Sequence, residues 1–229
     1  VASRGLGDVY KRQVSYLANS NNQVGLVISA SHNLFEDNGI KFFNKNGQKF
    51  SEELEKRIEV KLTEEMVPVD SINLGKATRM SDAQERYIEF CKLPFTDLDL
   101  SDLNILLDCA NGATYSVAPK VFTELGANIE TVAANPDGIN INQNCGSTNP
   151  DFLKDQMSKG NYDIGIAFDG DGDRILIISS EGNILDGDDI LFILSQKLLP
   201  NSGVVGTLMT NKALELHFQK NNIDFHRAD

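Results

Sequence analysis

Short apolar runs alternate with amphipathic stretches along this chain, and the alternation predicts an α/β protein. The β-branched and aliphatic runs are typical of buried strands. They predict strands at 24–28, 40–43, 104–109, 129–132, 163–168 and 175–178. Helical patterns cover 82–92, 115–125, 150–159 and 188–199. Strand–helix–strand order implies right-handed crossovers. The expected fold class is therefore α/β, with mixed, mostly parallel sheets and flanking helices.

Local signals mark where these elements begin and end. A further helix is expected after Ser51, which is a good N-cap, and Leu54, Ile58 and Leu62 lie on one face of it. Asn46-Gly47 predicts a hairpin turn, and Gly126 predicts a left-handed helix end. Linkers are predicted at 94–99 and 200–203, where proline and polar residues cluster.

Composition and charge narrow the class of function. The chain has 229 residues, of which 41% are hydrophobic and 24% charged, as expected for an ordinary soluble protein. A net charge of −12 argues against a nucleic-acid partner. We also expect no membrane partner and a cytoplasmic location, because no apolar run or signal peptide indicates otherwise. Three cysteines without C-x-x-C spacing predict reduced thiols.

An acidic loop is the first candidate for chemistry. Asp169, Asp171 and Asp173 alternate with Gly170 and Gly172 between two apolar strands. Carboxylates this close repel one another unless a cation neutralises them. Glycines permit the tight turns that aim several carboxylates at one point. Oxygen ligands favour magnesium or calcium over zinc.

Two other kinds of loop share features with this acidic stretch. The D-x-D-x-D spacing also opens a calcium EF-hand, but that loop needs Gly where Arg174 stands and Glu where Ser180 stands. Its flanks are also predicted strands rather than helices. A solvated acidic turn is the second alternative. Arg174 would add a cation beside the metal, which suits a phosphate.

A polar loop at 29–39 is the second candidate. Ser31 precedes His32 and Asn33, and serine needs a base or a metal to act as a nucleophile. Taken alone, the loop is more typical of an ordinary polar turn than of a catalytic site. Lys41 opens the next predicted strand, where it would face solvent or point back as a proton carrier or phosphate ligand.

Several segments together resemble the alpha-D-phosphohexomutase superfamily, and most of all its glucosamine branch. The match runs from about Val14 to the C-terminus. The ISASHN stretch at 28–33 is similar to the family's phosphoserine loop. The segments NGIKFF at 38–43, YIEFCK at 87–92, DCANGATY at 108–115, GININ at 138–142 and GTLMTN at 206–211 resemble that branch.

The resemblance implies a mechanism and a site. Ser31 would be the phosphorylated nucleophile, and Asp169, Asp171 and Asp173 would hold Mg²⁺ together with the Ser31 phosphate. His32, Lys41 and Arg174 match positions near the reacting phosphate. The implied enzyme is an isomerase that moves phosphate between O6 and O1 of glucosamine through a bisphosphate intermediate. A phosphosugar is thus the expected partner, with a possible homodimer in the parent protein.

The resemblance also implies a domain plan. Residues 14–96 would be an incomplete first domain, 97–200 a second domain, and 201–229 the start of a third. The fourth domain is expected to be absent, together with the family's Glu-Asn-Ser-Gly and Arg-Ser-Gly-Thr motifs. Residues 1–13 look foreign, since DVYKRQ at 8–13 reads as a translated transposon end. A genuine N-terminal segment is the alternative.

The sequence departs from the family pattern at one position of the serine loop, and three other functions stay open. Leu34 stands where the family usually has proline, so altered rather than abolished chemistry is expected. The fragment itself is expected to lack mutase activity. The alternatives are a glucose or a mannose branch activity, or a non-catalytic magnesium-binding module.

Overall fold

The computed structural model describes residues 11–65, 67–198 and 203–228. Its first part contains α1 (Lys11–Ser20), β1 (Gly25–Ser29), β2 (Gly39–Phe43), α2 (Glu52–Leu62) and α3 (Ala83–Lys92). Its second part contains β3 (Asn104–Asp108), α4 (Ala118–Glu124), β4 (Asn128–Val132), α5 (Pro150–Met157), β5 (Ile164–Phe168), β6 (Ile175–Ser179), β7 (Ile184–Leu185) and α6 (Gly187–Leu198). The last part contains β8 (Val204–Thr207), α7 (Lys212–Lys220) and β9 (Phe225–Ala228).

An antiparallel hairpin carries the serine loop. In β1 and β2 the register pairs Ser29 with Gly39, so the two ends of loop 30–38 are held side by side. Helix α1 covers one face of the hairpin, where Val14 packs in a cluster with Phe43. A Cβ atom on Gly25 would lie 2.6 Å from Val14 Cγ1, and glycine thus allows the helix to approach β1 closely.

A five-stranded mixed sheet in the order β4-β3-β5-β6-β7 carries the acidic loop. Strands β4, β3 and β5 are parallel to one another, whereas β5–β6 and β6–β7 are antiparallel. Alternate residues of β3 face opposite sides, as the period of a strand requires. Leu107 packs in the cluster that contains Ala118 of α4, and Leu106 packs with Leu153 of α5. Helices thus flank both faces of the sheet.

Helix α3 joins the first part to the second. Tyr87 and Ile88 are buried in a cluster with Val117 at the start of α4, and Tyr16 of α1 packs against the same cluster. The Gln84 side chain donates a hydrogen bond to the Ser116 carbonyl at 2.6 Å. These contacts hold the serine hairpin beside the five-stranded sheet.

The α/β class with mixed sheets and flanking helices is confirmed, and several details differ from the pattern-based expectation. The sheet has more antiparallel pairing than predicted, because loop 169–174 joins β5 to β6 without a crossover helix. The helix predicted at 115–125 begins only at Ala118, after a 3-10 turn at Ala113–Ser116. Proline in its first turn favours that later start, since it lacks an N–H group.

The expectations for helix α2, the N-terminal segment and the second linker agree with the structure only in part. Ser51 caps α2 as predicted, with its hydroxyl accepting from Leu54 N at 3.4 Å, but no residue of α2 is buried. Residues 1–10 and 200–202 lie outside the described residues, so the foreign segment and the second linker are described only in part. Residues 11–13 open α1, and Gln13 is buried. No described helix has both the length and the apolar character needed to cross a membrane.

Candidate active site

Two loops from different parts of the fold meet at this site. The serine loop leaves the end of β1, and the acidic loop leaves the carboxyl end of β5. They approach so closely that a Cβ atom on Gly170 would lie 2.6 Å from the Ser31 carbonyl oxygen. The backbone of Gly170 therefore serves as the contact surface between the loops.

Ser31 adopts a conformation that few non-glycine residues take. Its φ angle is 57°, in the left-handed region. The Ser29 hydroxyl accepts a hydrogen bond from Ser31 N at 3.0 Å, which stabilises this turn. The Ser31 side chain lies close enough to Asp171 to favour the ionised form of that carboxyl. Left-handed backbone at a reactive position is a common means of presenting a side chain.

The three carboxylates of the acidic loop converge. Asp169, Asp171 and Asp173 each offer one oxygen, and these oxygens lie within 4.8 Å of one another. Asp169 and Asp171 are buried, with 0% and 2% of their surface exposed. Asp169 Oδ1 accepts from the backbone N–H groups of Asp173 and Arg174 at 3.0 and 3.1 Å, which folds the loop around it.

The unpaired oxygens of this cluster fit a bound cation. Among the described residues, Asp169 Oδ2 and Asp171 Oδ1 are buried without a hydrogen-bond partner. A buried carboxylate oxygen left unpaired is costly. Oxygen donors of this kind are the ligands that Mg²⁺ prefers. The donor set therefore matches a hard divalent cation.

Two lysines partly neutralise the cluster. Lys41 Nζ lies 2.7 Å from Asp171 Oδ2, and Lys11 Nζ lies 3.4 Å from the same oxygen and also contacts Asp173 Oδ2. Burial opposes ionisation of Asp171. The Lys41 hydrogen bond, the two lysine charges and the Ser31 hydroxyl outweigh burial and lower the pKa of Asp171.

Asp169 shifts in the opposite direction. Burial raises its pKa, and the charges of Asp171 and Asp173 add to that effect against two backbone hydrogen bonds. The acidic loop thus combines one carboxylate that its surroundings keep ionised with one that resists ionisation. A bound divalent cation would favour the ionised form of both.

The structure brings some of the predicted site residues together and leaves others at the edge of the site. Ser31, Lys41 and the three aspartates come together. His32 follows Ser31 in the loop, is half-buried, and its Nδ1 lacks a hydrogen-bond partner among the described residues. The side chain of Arg174 is exposed, and its backbone N–H binds Asp169.

Three residues of the site were not identified from the sequence. Lys11 stands in the segment expected to be foreign, so its contact with the acidic loop was unforeseen. Asp108 ends β3, and its buried carboxylate accepts from Ala110 N at 2.9 Å and Gly146 N at 2.6 Å. Asn142 hydrogen-bonds to both loops. Asp108 lies in the predicted strand 104–109 and opens the DCANGATY segment, and Asn142 ends the GININ segment. Both segments resemble the family, but the sequence assigned neither residue a role.

Comparison with known families identifies the fold. The phosphoglucomutase/phosphomannomutase α/β/α domain I matches residues 11–67, and domain II of the same family matches residues 85–182. Together these matches cover most of the chain. The chain belongs to the phosphoglucomutase/phosphomannomutase family.

Individual relatives agree with that assignment. The phosphoglucosamine mutase of Legionella pneumophila (strain Corby) is 48% identical over 97% of this chain. That alignment takes in 50% of the relative, so the chain spans about half the length of the curated relatives it matches.

Solved structures share the fold at lower identity. A phosphoglucomutase/phosphomannomutase family protein from Burkholderia thailandensis has a TM-score of 0.68 at 24% identity, over 89% of this chain and 44% of that one. Aspergillus fumigatus N-acetylphosphoglucosamine mutase, crystallised with GlcNAc-6P and magnesium, has a TM-score of 0.59 at 19% identity. That likeness covers 96% of this chain and 59% of the fungal one.

Proposed function

We propose that this chain carries the phosphate-bearing serine and the metal loop of a phosphoglucosamine mutase. The observation that carries the proposal is the Ser31 hydroxyl beside Asp171, in a cluster with two unpaired buried carboxylate oxygens. The 48% identity to a phosphoglucosamine mutase supports the choice of glucosamine within the family. The reaction would interconvert glucosamine 6-phosphate and glucosamine 1-phosphate.

The chemistry proposed for the chain's own residues is the one that the family resemblance implies, and their placement supports it. In the phosphorylated protein, a sugar hydroxyl attacks the phosphorus on Ser31 and gives up its proton. The bond from phosphorus to the Ser31 oxygen breaks as the new one forms, and the departing Ser31 oxygen takes up a proton. The resulting bisphosphate returns its other phosphoryl group to Ser31. The Lys41 ammonium, held on Asp171 at 2.7 Å, is placed to offset negative charge beside Ser31.

Asp169, Asp171 and Asp173 would hold Mg²⁺, which supplies electrostatic stabilisation of the phosphoryl oxygens when bound. Support comes from the donor set and from magnesium in the related fungal structure. His32 is assigned to the same pocket by its position next to Ser31. Arg174 is assigned a phosphate-binding role, for which its exposed side chain is accessible.

The metal assignment is tested by calorimetric titration of the chain with Mg²⁺. We expect one weak site that Asp171→Asn abolishes, because that change removes a charge from the cluster. Asp102→Asn is the matched control, since Asp102 is an exposed carboxylate in a turn before β3. Equal Mg²⁺ binding by all three proteins would contradict the assignment.

The sugar assignment is tested on the full-length product of the gene. We expect turnover of glucosamine phosphate to exceed that of glucose and mannose phosphates, and a clear preference for glucose or mannose phosphate would refute it. A second candidate, a magnesium-binding module without turnover, is favoured for this chain alone by its match to half of its relatives' length. Robust turnover by the chain alone would exclude that candidate.

A further inference from the structure

A single buried amide connects the two loops of the site. Asn142 Nδ2 donates to the Ser31 carbonyl at 3.0 Å and to the Asn33 carbonyl at 2.8 Å. Asn142 Oδ1 accepts from Gly170 N at 2.8 Å. Both amide protons and one oxygen lone pair are thus used, and 8% of the residue is exposed.

The backbone around Asn142 is built to present that amide. Its φ angle is 56°, in the left-handed region that asparagine tolerates better than most residues. Its N–H donates to the Ala110 carbonyl at 2.8 Å, which anchors it to the loop after β3. The position therefore requires both an unusual backbone angle and a side chain with two donors and an acceptor.

Close packing leaves the bridge little freedom. A Cβ atom on Gly170 would lie 2.7 Å from Asn142 Nδ2 and 2.6 Å from Ile141 Cδ1. The Gly170 carbonyl accepts from Ala113 N at 2.9 Å on the other side. A small shift of the amide would therefore disturb the serine loop and the acidic loop together.

We propose that Asn142 is a positioning residue that couples the serine loop to the acidic loop and so holds the Ser31 hydroxyl beside Asp171. Its consequence for phosphate transfer rests on the proposed function, whereas the coupling itself does not. Phosphate transfer at Ser31 needs this alignment, because misplacing a reacting group by about 1 Å lowers the reaction rate strongly. No contact of Asn142 with substrate is implied.

The test replaces one donor group by an acceptor. Asn142→Asp keeps the shape and the left-handed preference but loses both donors to the Ser31 and Asn33 carbonyls. Asn144→Asp is the matched control, because Asn144 has a φ of 55° and is exposed. Amide exchange over residues 31–34 should accelerate roughly tenfold or more in Asn142→Asp and stay unchanged in Asn144→Asp. Exchange in β3 and β5 should be unchanged in both.

Coupling has a spectroscopic signature that a general loss of stability would not produce. In the wild-type chain, Mg²⁺ should shift the amide resonances of Ser31 and His32 as well as those of 170–173. In Asn142→Asp, Mg²⁺ should shift those of 170–173 alone. Shifts at Ser31 that persist in Asn142→Asp, or exchange equal to that of Asn144→Asp, would overturn the proposal.

Wild-type measurements keep the proposal testable if Asn142→Asp does not fold. Nuclear Overhauser contacts from the Asn142 side-chain amide protons to the backbone of residues 31–34 are expected, and their absence would refute the bridge. None of these readouts involves phosphate. A Ser31 that is never phosphorylated would thus defeat the proposed function and leave the coupling intact.

Discussion

Replacing Gly112 by alanine should disrupt the acidic loop, because the new methyl group would collide with the backbone of Gly170. A Cβ atom at this position would lie 2.3 Å from the Gly170 carbonyl oxygen and 2.5 Å from Gly170 Cα. Ordinary contacts begin near 3.4 Å, so the two backbones must separate by about 1 Å. Neither atom belongs to a flexible side chain that can turn away. The same movement would break the bond from Ala113 N to the Gly170 carbonyl, which is 2.9 Å long.

The expected cost combines two terms. Overpacking of a well-packed region costs about 1–3 kcal/mol. Loss of one backbone hydrogen bond costs about 1 kcal/mol more. Gly112→Ala should therefore lower the free energy of unfolding by about 2–4 kcal/mol and weaken Mg²⁺ binding, because Gly170 lies between two of the metal-loop aspartates.

Urea unfolding followed by far-UV circular dichroism measures the first effect, since the chain has no tryptophan to report by fluorescence. Calorimetric titration measures the second. Gly75→Ala is the control, because a Cβ atom there meets nothing within 4 Å. A loss below about 0.5 kcal/mol in Gly112→Ala, with unchanged Mg²⁺ affinity, would refute the close-approach reasoning.

Three further predictions follow from charges and thiols. Lys11→Gln should raise Mg²⁺ affinity about two- to fivefold by calorimetry, because it removes a competing cation from the acidic cluster; a lower affinity would contradict this. Burial raises the pKa of Asp108 to about 6, so its contribution to stability is full below about pH 4 and is lost as pH rises through 6. A carboxyl carbon resonance titrating near pH 4 would disprove that value. Iodoacetamide should label Cys91 before Cys109 and Cys145, because burial raises the pKa of the latter two thiols to about 12; faster labelling of either would count against their burial.

Much of the fold was predictable because its strands have simple apolar patterns. Strands β3 and β5 are buried on both faces, and such strands read as continuous aliphatic runs. Elements near the C-terminal end were missed. Helix α7 and strand β9 mix polar and apolar residues, and their core depends on Phe218 packing with Val204 across the turn. That contact is not visible in either segment alone.

The sequence predicted the charged residues of the site, but it did not predict the residues that hold its two loops together. Alternating Asp and Gly at 169–173 indicates a cation loop from local chemistry, and family resemblance directs attention to Ser31. The contact between them arises from tertiary packing of the hairpin against the sheet. Asn142 illustrates the limit, since the GININ segment resembles the family but gives no sign that Asn142 binds carbonyls 109 and 111 residues away.

Phosphorylation of the serine loop tests the central claim most directly. The measurement is the intact mass of the full-length protein after incubation with a glucosamine bisphosphate and Mg²⁺, followed by fragmentation of the peptide that contains Ser29 and Ser31. The account predicts one phosphate located on Ser31 and none in Ser31→Ala. A phosphate on Ser29 or elsewhere, or one that survives in Ser31→Ala, would contradict it.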